Sequence, residues 1–157
     1  MSFSRKALLA LTGIAALAMP LAVAGSASAA TLGGCTVTPL KPTLDHIDSK
    51  DKSWIKYETR VYCDAGRSIE IQDERLEYDN LSANDYYGTT IYNLTFDSAD
   101  TRYVSVVKVL PDADGVFDEV EEMFHATGFQ VTPYDGPASG WTPTWDESSH
   151  SKFPLWP

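Results

Sequence analysis

Basic residues are scarce in this sequence. Its 157 residues include 12 Lys+Arg against 22 Asp+Glu, which gives a formal net charge of -10. Proteins that bind nucleic acid group lysine and arginine side chains to neutralise phosphates, and this sequence contains no such group. We therefore expect no nucleic-acid partner.

Histidine is also scarce, and the familiar catalytic motifs are absent. The three histidines lack the close spacing of a metal-binding pair, and neither H-E-x-x-H nor G-x-S-x-G occurs. We expect His125 to lie on a strand face beside acids such as Glu121, in a structural hydrogen bond. The sequence therefore predicts a protein that is not an enzyme. The second alternative to a binding role is a hydrolase whose catalytic residues come from distant segments.

The N-terminal residues have the three parts of an export signal. Arg5 and Lys6 form a short positive region, residues 7–24 are an uncharged apolar run, and Ala27-Ser28-Ala29 fits the small-x-small rule. We expect residues 1–29 to be a cleaved signal peptide and the mature protein to be secreted. No later apolar stretch approaches the roughly 20 residues of a spanning helix, so we expect no membrane span after cleavage.

The only two cysteines, Cys35 and Cys63, follow the predicted signal. An even number of cysteines in an exported chain indicates a disulfide, and a closed loop of this length contributes about 3–4 kcal/mol. The alternative is a lipoprotein anchored through Cys35, because Leu32-Gly33-Gly34-Cys35 resembles a lipobox. Lipidation would leave Cys63 as a lone exported thiol, so we favour the disulfide.

Apolar and polar residues alternate in several runs of the mature sequence. Period-two alternation of β-branched and aromatic residues is typical of half-buried strands. For 119–126 a strand is favoured over a helix. The predicted strands are 35–39, 54–63, 68–79, 89–96, 102–110, 119–126 and 129–134.

Local patterns add detail to these strands. A change of phase in 68–79 predicts a β-bulge near residues 72–74. Residues 84–88 are predicted to form a loop, and Thr127-Gly128 a hairpin turn. Apolar residues on both faces of 102–110 predict a central strand.

About seven strands with turns between them predict an all-β fold, an antiparallel β-sandwich. Its architecture would be immunoglobulin-like, although the cysteines are too close in sequence for that family's inter-sheet bridge. We expect the sandwich domain to span 30–134. The segment 135–157 is rich in proline and tryptophan, and we expect it to pack on the domain in extended form.

Several short motifs occur in an order that resembles small, secreted, uncharacterised proteins of high-GC Gram-positive bacteria. The resemblance covers most of the mature chain and implies export and a disulfide-tied β domain. It implies no activity and no catalytic residues. The motifs are Cys35-Thr-Val-Thr-Pro39, Val61-Tyr62-Cys63, Arg67-Ser-Ile-Glu-Ile71, Glu77-Tyr78-Asp79, Phe124-His125 and Phe129-Gln130-Val131.

An acidic stretch after residue 110 resembles part of a calcium-binding loop. Four of its acids match ligand positions of the twelve-residue EF-hand loop, but Leu110 stands where the first ligand belongs. The alternative is a solvated acidic hairpin loop. We expect no cofactor, with Ca²⁺ as the alternative. The four matching acids are Asp112, Asp114, Asp118 and Glu121.

Aromatic residues form the second candidate site. Large aromatic side chains flanked by polar residues can stack on sugars or contact a protein, and the alternative is that they cover an end or edge of the sandwich. We expect a secreted, non-catalytic protein that binds a protein or a cell-surface ligand, with a carbohydrate-binding module as the alternative. The candidate ligand-binding aromatics are Trp141, Trp145, Trp156, Tyr86 and Tyr87.

Overall fold

A computed structural model describes residues 28–78, 83–111 and 120–154 of the chain. All the regular elements in these ranges are β-strands, ten in number. They form two antiparallel sheets that pack face to face, which confirms the predicted all-β sandwich. None of the described segments is a helix long and apolar enough to cross a bilayer.

The first sheet has β4 at its centre. Along one side β4 pairs with β7, and along the other it pairs with β3 and β2, with β1 beyond β2. The strands of this sheet are β1 (Ala30–Leu32), β2 (Cys35–Pro39), β3 (Thr43–Ile47), β4 (Ser53–Cys63) and β7 (Asp100–Val109).

The second sheet has β5 between β6 and β8. The far side of β8 pairs with two short strands from the C-terminal segment, β9 and β10. The strands of this sheet are β5 (Arg67–Glu77), β6 (Asp85–Phe96), β8 (Val120–Pro133), β9 (Asp146–Glu147) and β10 (Ser151–Pro154).

The core lies between the sheets in two apolar clusters. The alternation of β4 places every second residue from Ser53 to Cys63 in the interior, as its sequence predicts. The larger cluster consists of Cys35, Val37, Val61, Cys63, Ile69, Ile71, Phe96, Phe129 and Val131. The smaller consists of Ile55, Tyr57, Leu110, Met123 and Phe153.

The predicted disulfide is present and fully buried. Cys35 and Cys63 face each other in the ladder between β2 and β4, and their sulfurs are bonded. The bridge therefore joins neighbouring strands within one sheet. It fixes the start of the described domain to the end of the central strand of that sheet.

Strand β8 corrects the prediction of a hairpin at Thr127-Gly128. The predicted strands 119–126 and 129–134 are one strand of 14 residues, and Gly128 does not have a positive φ. Both neighbours of β8 hold it straight, because β5 pairs with it on one side and the C-terminal segment on the other. Gly128 allows a close contact with the indole ring of Trp145.

Strand β5 corrects the prediction of a bulge at residues 72–74. Its odd-numbered residues face the interior from Ile69 to Glu77 without a change of phase, and its pairing with β8 is uninterrupted. The strand buries the charged or polar residues Asp73, Arg75 and Glu77 at these inward positions. The strand keeps the same residues facing inward, and the sequence changes phase because its inward residues are polar from Asp73 to Glu77.

The irregularity lies on the neighbouring strand β6. Glu74 pairs with Thr89 and Leu76 with Tyr86, so β6 contains one extra residue at this point. Gly88 has a φ of 104°, which side-chain-bearing residues rarely adopt. Most of the predicted loop at 84–88 is therefore part of β6.

Strand β7 is also placed differently from the prediction. Within the described ranges it pairs with β4 alone, so it is an edge strand and not a central one. Val104 and Val106 are partly buried on its inner side, whereas Val109 is 39% exposed. The valines on its second face are therefore partly exposed instead of covered by another layer.

Candidate functional site

The C-terminal segment follows β8 through a repeated hydrogen-bond pattern. Ser139 donates its backbone N–H to the carbonyl of Val131 over 2.7 Å, and its hydroxyl accepts the N–H of Val131 over 2.9 Å. Thr142 bonds Phe129 in the same way. In each case a side-chain hydroxyl accepts the β8 N–H that a backbone carbonyl of a neighbouring strand would normally accept.

The same arrangement recurs further along β8. Ser148 donates its N–H to the carbonyl of His125 and accepts the N–H of His125 on its hydroxyl. Proline cannot donate to a ladder, so hydroxyl residues between prolines let an irregular segment satisfy the edge of a sheet. The segment after Tyr134 is thereby held against the sandwich.

This segment places Trp145 on Gly128. A Cβ added to Gly128 would lie 2.8, 3.1 and 3.2 Å from three neighbouring atoms of the indole, Cε2, Cδ2 and Cζ2. Similar distances to three joined ring atoms mean that the flat face of the indole lies over the glycine. Trp145 is nevertheless 38% exposed, so one side of the ring is supported and part of it meets solvent.

A second aromatic group lies further along the same outer surface. The ring of His150 stacks on Phe124 with centroids 4.5 Å apart, and Tyr78 tilts against His150 at 4.9 Å. The His150 Nδ1 lies 3.2 Å from a carboxylate oxygen of Glu122. Phe124 is almost fully covered, whereas Tyr78 remains 38% exposed.

The register brings Tyr86 to this surface as well. Tyr86 pairs with Leu76, which pairs with Phe124, so these three residues form one row across adjacent strands. In the row of Gly128, the corresponding residue of β6 is Ile91. Tyr86 is 57% and Ile91 55% exposed.

We call this outer side of the second sheet the aromatic face. It contains two of the predicted site residues, Trp145 and Tyr86, together with residues that were not predicted from the sequence. The sequence signal for the missed Tyr78 was its alternation with Leu76 on the face of the strand opposite to Ile69 and Ile71. The aromatic face is defined by Tyr78, Tyr86, Ile91, Trp145 and His150.

The other predicted aromatics are placed differently. Trp141 is 39% exposed and precedes Thr142 in the segment along β8. Tyr87 points inward, and its hydroxyl donates a 2.6 Å hydrogen bond to Glu77 Oε2. Burial, followed by this hydrogen bond, raises the pKa of Tyr87. Trp156 lies outside the described residues.

A buried pair of titratable side chains lies on the inner side of the same sheet. His125 Nδ1 is 2.9 Å from Asp73 Oδ1, and both side chains have no exposed surface. His125 Nε2 is 2.7 Å from the carbonyl oxygen of Leu40. A carbonyl only accepts, so Nε2 carries a proton. Asp73, and not the predicted Glu121, is therefore the acidic partner of His125.

This pair does not form a nucleophile-activating site. Thr59 donates to the second Asp73 oxygen over 3.2 Å, and the Ser148 hydroxyl is bonded to the backbone of His125 and not to its ring. Both ring nitrogens are therefore occupied by Asp73 and Leu40. The arrangement links β4, β5 and β8 with the connection after β2, and its chemistry is that of a structural network.

Arg75 extends this polar layer towards β6. Its guanidinium donates to the Thr90 hydroxyl over 2.7 Å and to the carbonyl of Tyr87 at 3.4 Å. Arg75 and Glu77 are each 4% exposed. A buried cation and anion need such partners, since an uncompensated buried charge is strongly destabilising.

The predicted calcium ligands are only partly described. Asp112, Asp114 and Asp118 lie outside the described residues. Glu121 is 1% exposed and belongs to the inward-facing residues of β8. In the described ranges, no group of three or more His, Cys, Asp or Glu is placed to hold a metal ion. The calcium loop stays a prediction.

No protein-family model matches the chain, and no curated protein or solved structure matches it significantly. Its function therefore has to be argued from the surfaces themselves. Among the predicted site residues, the structure gives Trp145 the most specific setting, because a glycine is needed beneath it.

Proposed function

We propose that the protein is an exported, non-catalytic β-sandwich that binds a protein or another ligand at a cell surface through the aromatic face. The observation that carries this proposal is the placement of Trp145, whose ring is supported by Gly128 while 38% of the residue stays exposed. Export is supported by the signal-like N-terminus and by the Cys35–Cys63 disulfide, since disulfides persist in oxidising compartments.

Fixed aromatic rings are efficient binding groups. A ring that is already immobilised loses little conformational entropy when a ligand covers it, and aromatic side chains dominate the energetics of many interfaces. Trp145 is immobilised by the sheet, and His150 is immobilised by stacking on Phe124. The aromatic face therefore combines exposure with rigidity.

Carbohydrate binding is the second candidate, and the setting of Trp145 favours it specifically. A pyranose presents an apolar C–H surface that can stack on one flat aromatic face while its hydroxyls bond to polar neighbours. An indole that packs on a glycine through one face leaves its other side for such stacking. A hydrolase receives no comparable support, because both ring nitrogens of His125 are occupied.

The test compares Trp145→Ala with Tyr134→Ala. Tyr134 is 56% exposed on a turn outside the aromatic face, so its truncation removes a similar ring elsewhere. Purified mature protein is offered to proteins of a culture supernatant and to a glycan array, and the affinity for each recovered ligand is measured. We expect Trp145→Ala to weaken binding at least about tenfold and Tyr134→Ala to leave it unchanged. Equal effects of the two variants, or no ligand from either source, would contradict the proposal.

A further inference from the structure

The outer side of the first sheet carries a groove with a different chemistry. It is a shallow, open concavity of about 470 Å³. We call it the Arg60 groove. Its lining consists of Thr36, Thr38, Arg60, Tyr62, Thr101 and Tyr103.

Strand pairing arranges these six residues as a regular array. Arg60 stands between Thr38 and Tyr103 on the neighbouring strands, and Tyr62 stands between Thr36 and Thr101. The two rows are about 7 Å apart along the strands, and neighbouring strands are about 4.8 Å apart. The array therefore has the dimensions of a sugar residue and is held by three strands, β2, β4 and β7.

Arg60 is the one charged residue in the array, and its charge is not neutralised. Along the same face of β4, Lys56 and Glu58 form an ion pair over 2.5 Å, so Glu58 already has a basic partner and Arg60 has no acidic one on this strand. Within the described ranges Arg60 forms no hydrogen bond or ion pair, whereas Arg67, Arg75 and Arg102 all donate to partners. Arg60 is exposed, so its guanidinium is accessible to an anionic ligand.

The remaining groups of the array are hydroxyls. The Thr38 hydroxyl is buried and has no hydrogen-bond partner among the described residues, although the residue is only 6% exposed. Because this hydroxyl is covered, the hydroxyls open to a ligand in the groove are those of the exposed Thr101 and Tyr103. Tyr62 and Tyr103 are 42% and 59% exposed, so their rings are accessible in the groove.

We propose that the Arg60 groove binds a uronic-acid-containing saccharide. The guanidinium of Arg60 pairs in a bidentate fashion with the carboxylate, since a planar fork of donors matches its two oxygens. The exposed Thr101 hydroxyl bonds to a ring hydroxyl, and Tyr103 provides an aromatic surface for the sugar. This site is separate from the aromatic face and does not depend on the function proposed for it.

The composition of the groove favours a sugar acid over an acidic peptide. A peptide site is expected to offer apolar pockets for alternate side chains, whereas the lining of this groove contains no aliphatic residue. A single cation beside hydroxyl-bearing residues, of which Thr101 and Tyr103 are exposed, matches a polyol that carries one carboxylate.

The experiment measures binding of an oligogalacturonate by calorimetry to the wild type and to Arg60→Gln. The methyl-esterified oligomer and an acidic peptide of equal charge are the comparison ligands. We expect the wild type to prefer the free acid and to lose affinity as salt rises, because exposed charge pairs are screened. Arg60→Gln should bind the free acid about tenfold to a hundredfold more weakly and no longer distinguish it from the ester. Arg60→Lys should be intermediate, because it keeps the charge and loses the fork.

Lys50→Gln is the matched control, since it removes one exposed positive charge from the turn between β3 and β4. Its affinity for the free acid should equal that of the wild type. Equal weakening by Lys50→Gln and Arg60→Gln, preference for the peptide, or no wild-type binding at millimolar concentration would overturn the proposal. Unchanged melting temperatures establish that each variant is folded. Trp145→Ala should bind the oligogalacturonate normally, so failure of this proposal and failure of the aromatic face are distinguishable.

Discussion

Replacing Gly128 with alanine tests the contact that supports the aromatic face. The added Cβ would lie 2.8 Å from Trp145 Cε2, a distance that real Cβ atoms essentially never show. Gly128 lies within a continuous strand and does not have a positive φ, so alanine suits its backbone. The substitution therefore acts on the indole, which has to tilt or move away from β8.

The expected cost follows from the buried part of Trp145. The residue is 38% exposed, so complete displacement would return roughly 150 Å² of aromatic surface to water, equivalent to about 4 kcal/mol at most. A tilted ring retains part of its contact, and replacing glycine in a strand is favourable by about 0.5–1 kcal/mol. We expect Gly128→Ala to lower the free energy of unfolding by about 1–3 kcal/mol.

Urea unfolding followed by circular dichroism measures this loss, and tryptophan fluorescence detects a ring that has become more exposed through a red-shifted emission. Gly140→Ala is the control, because no atom lies within 4 Å of the Cβ that it would add. It should leave stability unchanged or slightly raised.

A double-mutant cycle separates the indole contact from other effects of alanine. In a Trp145→Ala background the added Cβ meets no ring, so Gly128→Ala should be neutral or stabilising. An equal loss of stability in both backgrounds would place its origin elsewhere in β8. A Gly128→Ala protein with wild-type stability and emission would refute the contact itself.

Two further predictions concern the interior. Asp73→Asn replaces the carboxyl that faces His125 Nδ1, and leaving a buried polar group without its partner should cost about 1–3 kcal/mol in urea unfolding; no measurable loss would show that the pair is not a structural element. Burial raises the pKa of Tyr92 from 10.0 to about 12, so the unfolded chain ionises first. The stabilisation linked to this tyrosine is therefore complete below pH 10 and is lost as the pH rises towards about 12. Unfolding at a series of pH values together with absorbance of ionised tyrosine measures this, and an unchanged stability across that window would contradict the burial of Tyr92.

The overall fold could be predicted because β4 obeys one simple rule. From Ile55 to Cys63 its inward positions are apolar or small, so period-two alternation and burial agree. The disulfide could be predicted for a similar reason, since two cysteines in an exported chain leave one pairing. Both features depend on local pattern or on counting, which a sequence displays directly.

The C-terminal segment could not be predicted in the same way. It shows no periodicity, and its attachment depends on single hydroxyls of Ser139, Thr142 and Ser148 that meet particular β8 residues. Trp145 was recognisable as a candidate, but its support was not, because a glycine after a threonine is a common turn signal. Whether Gly128 forms a turn or packs against a ring depends on Trp145, which is distant from it in sequence.

The remaining wrong prediction, the bulge in β5, has its physical reason in the interior of the second sheet. Towards one end of the second sheet the usual pattern is mixed, because Asp73 and His125 share the inner side with the apolar Met123 while Leu76 and Tyr78 lie on the outer side. Burying charged groups is costly and needs the dedicated partners found here. Sequences generally agree with their fold at every level, and departures concentrate at functional sites. This pattern lies beneath the aromatic face, so the sequence signal interpreted as a bulge records buried polar residues under an aromatic outer surface.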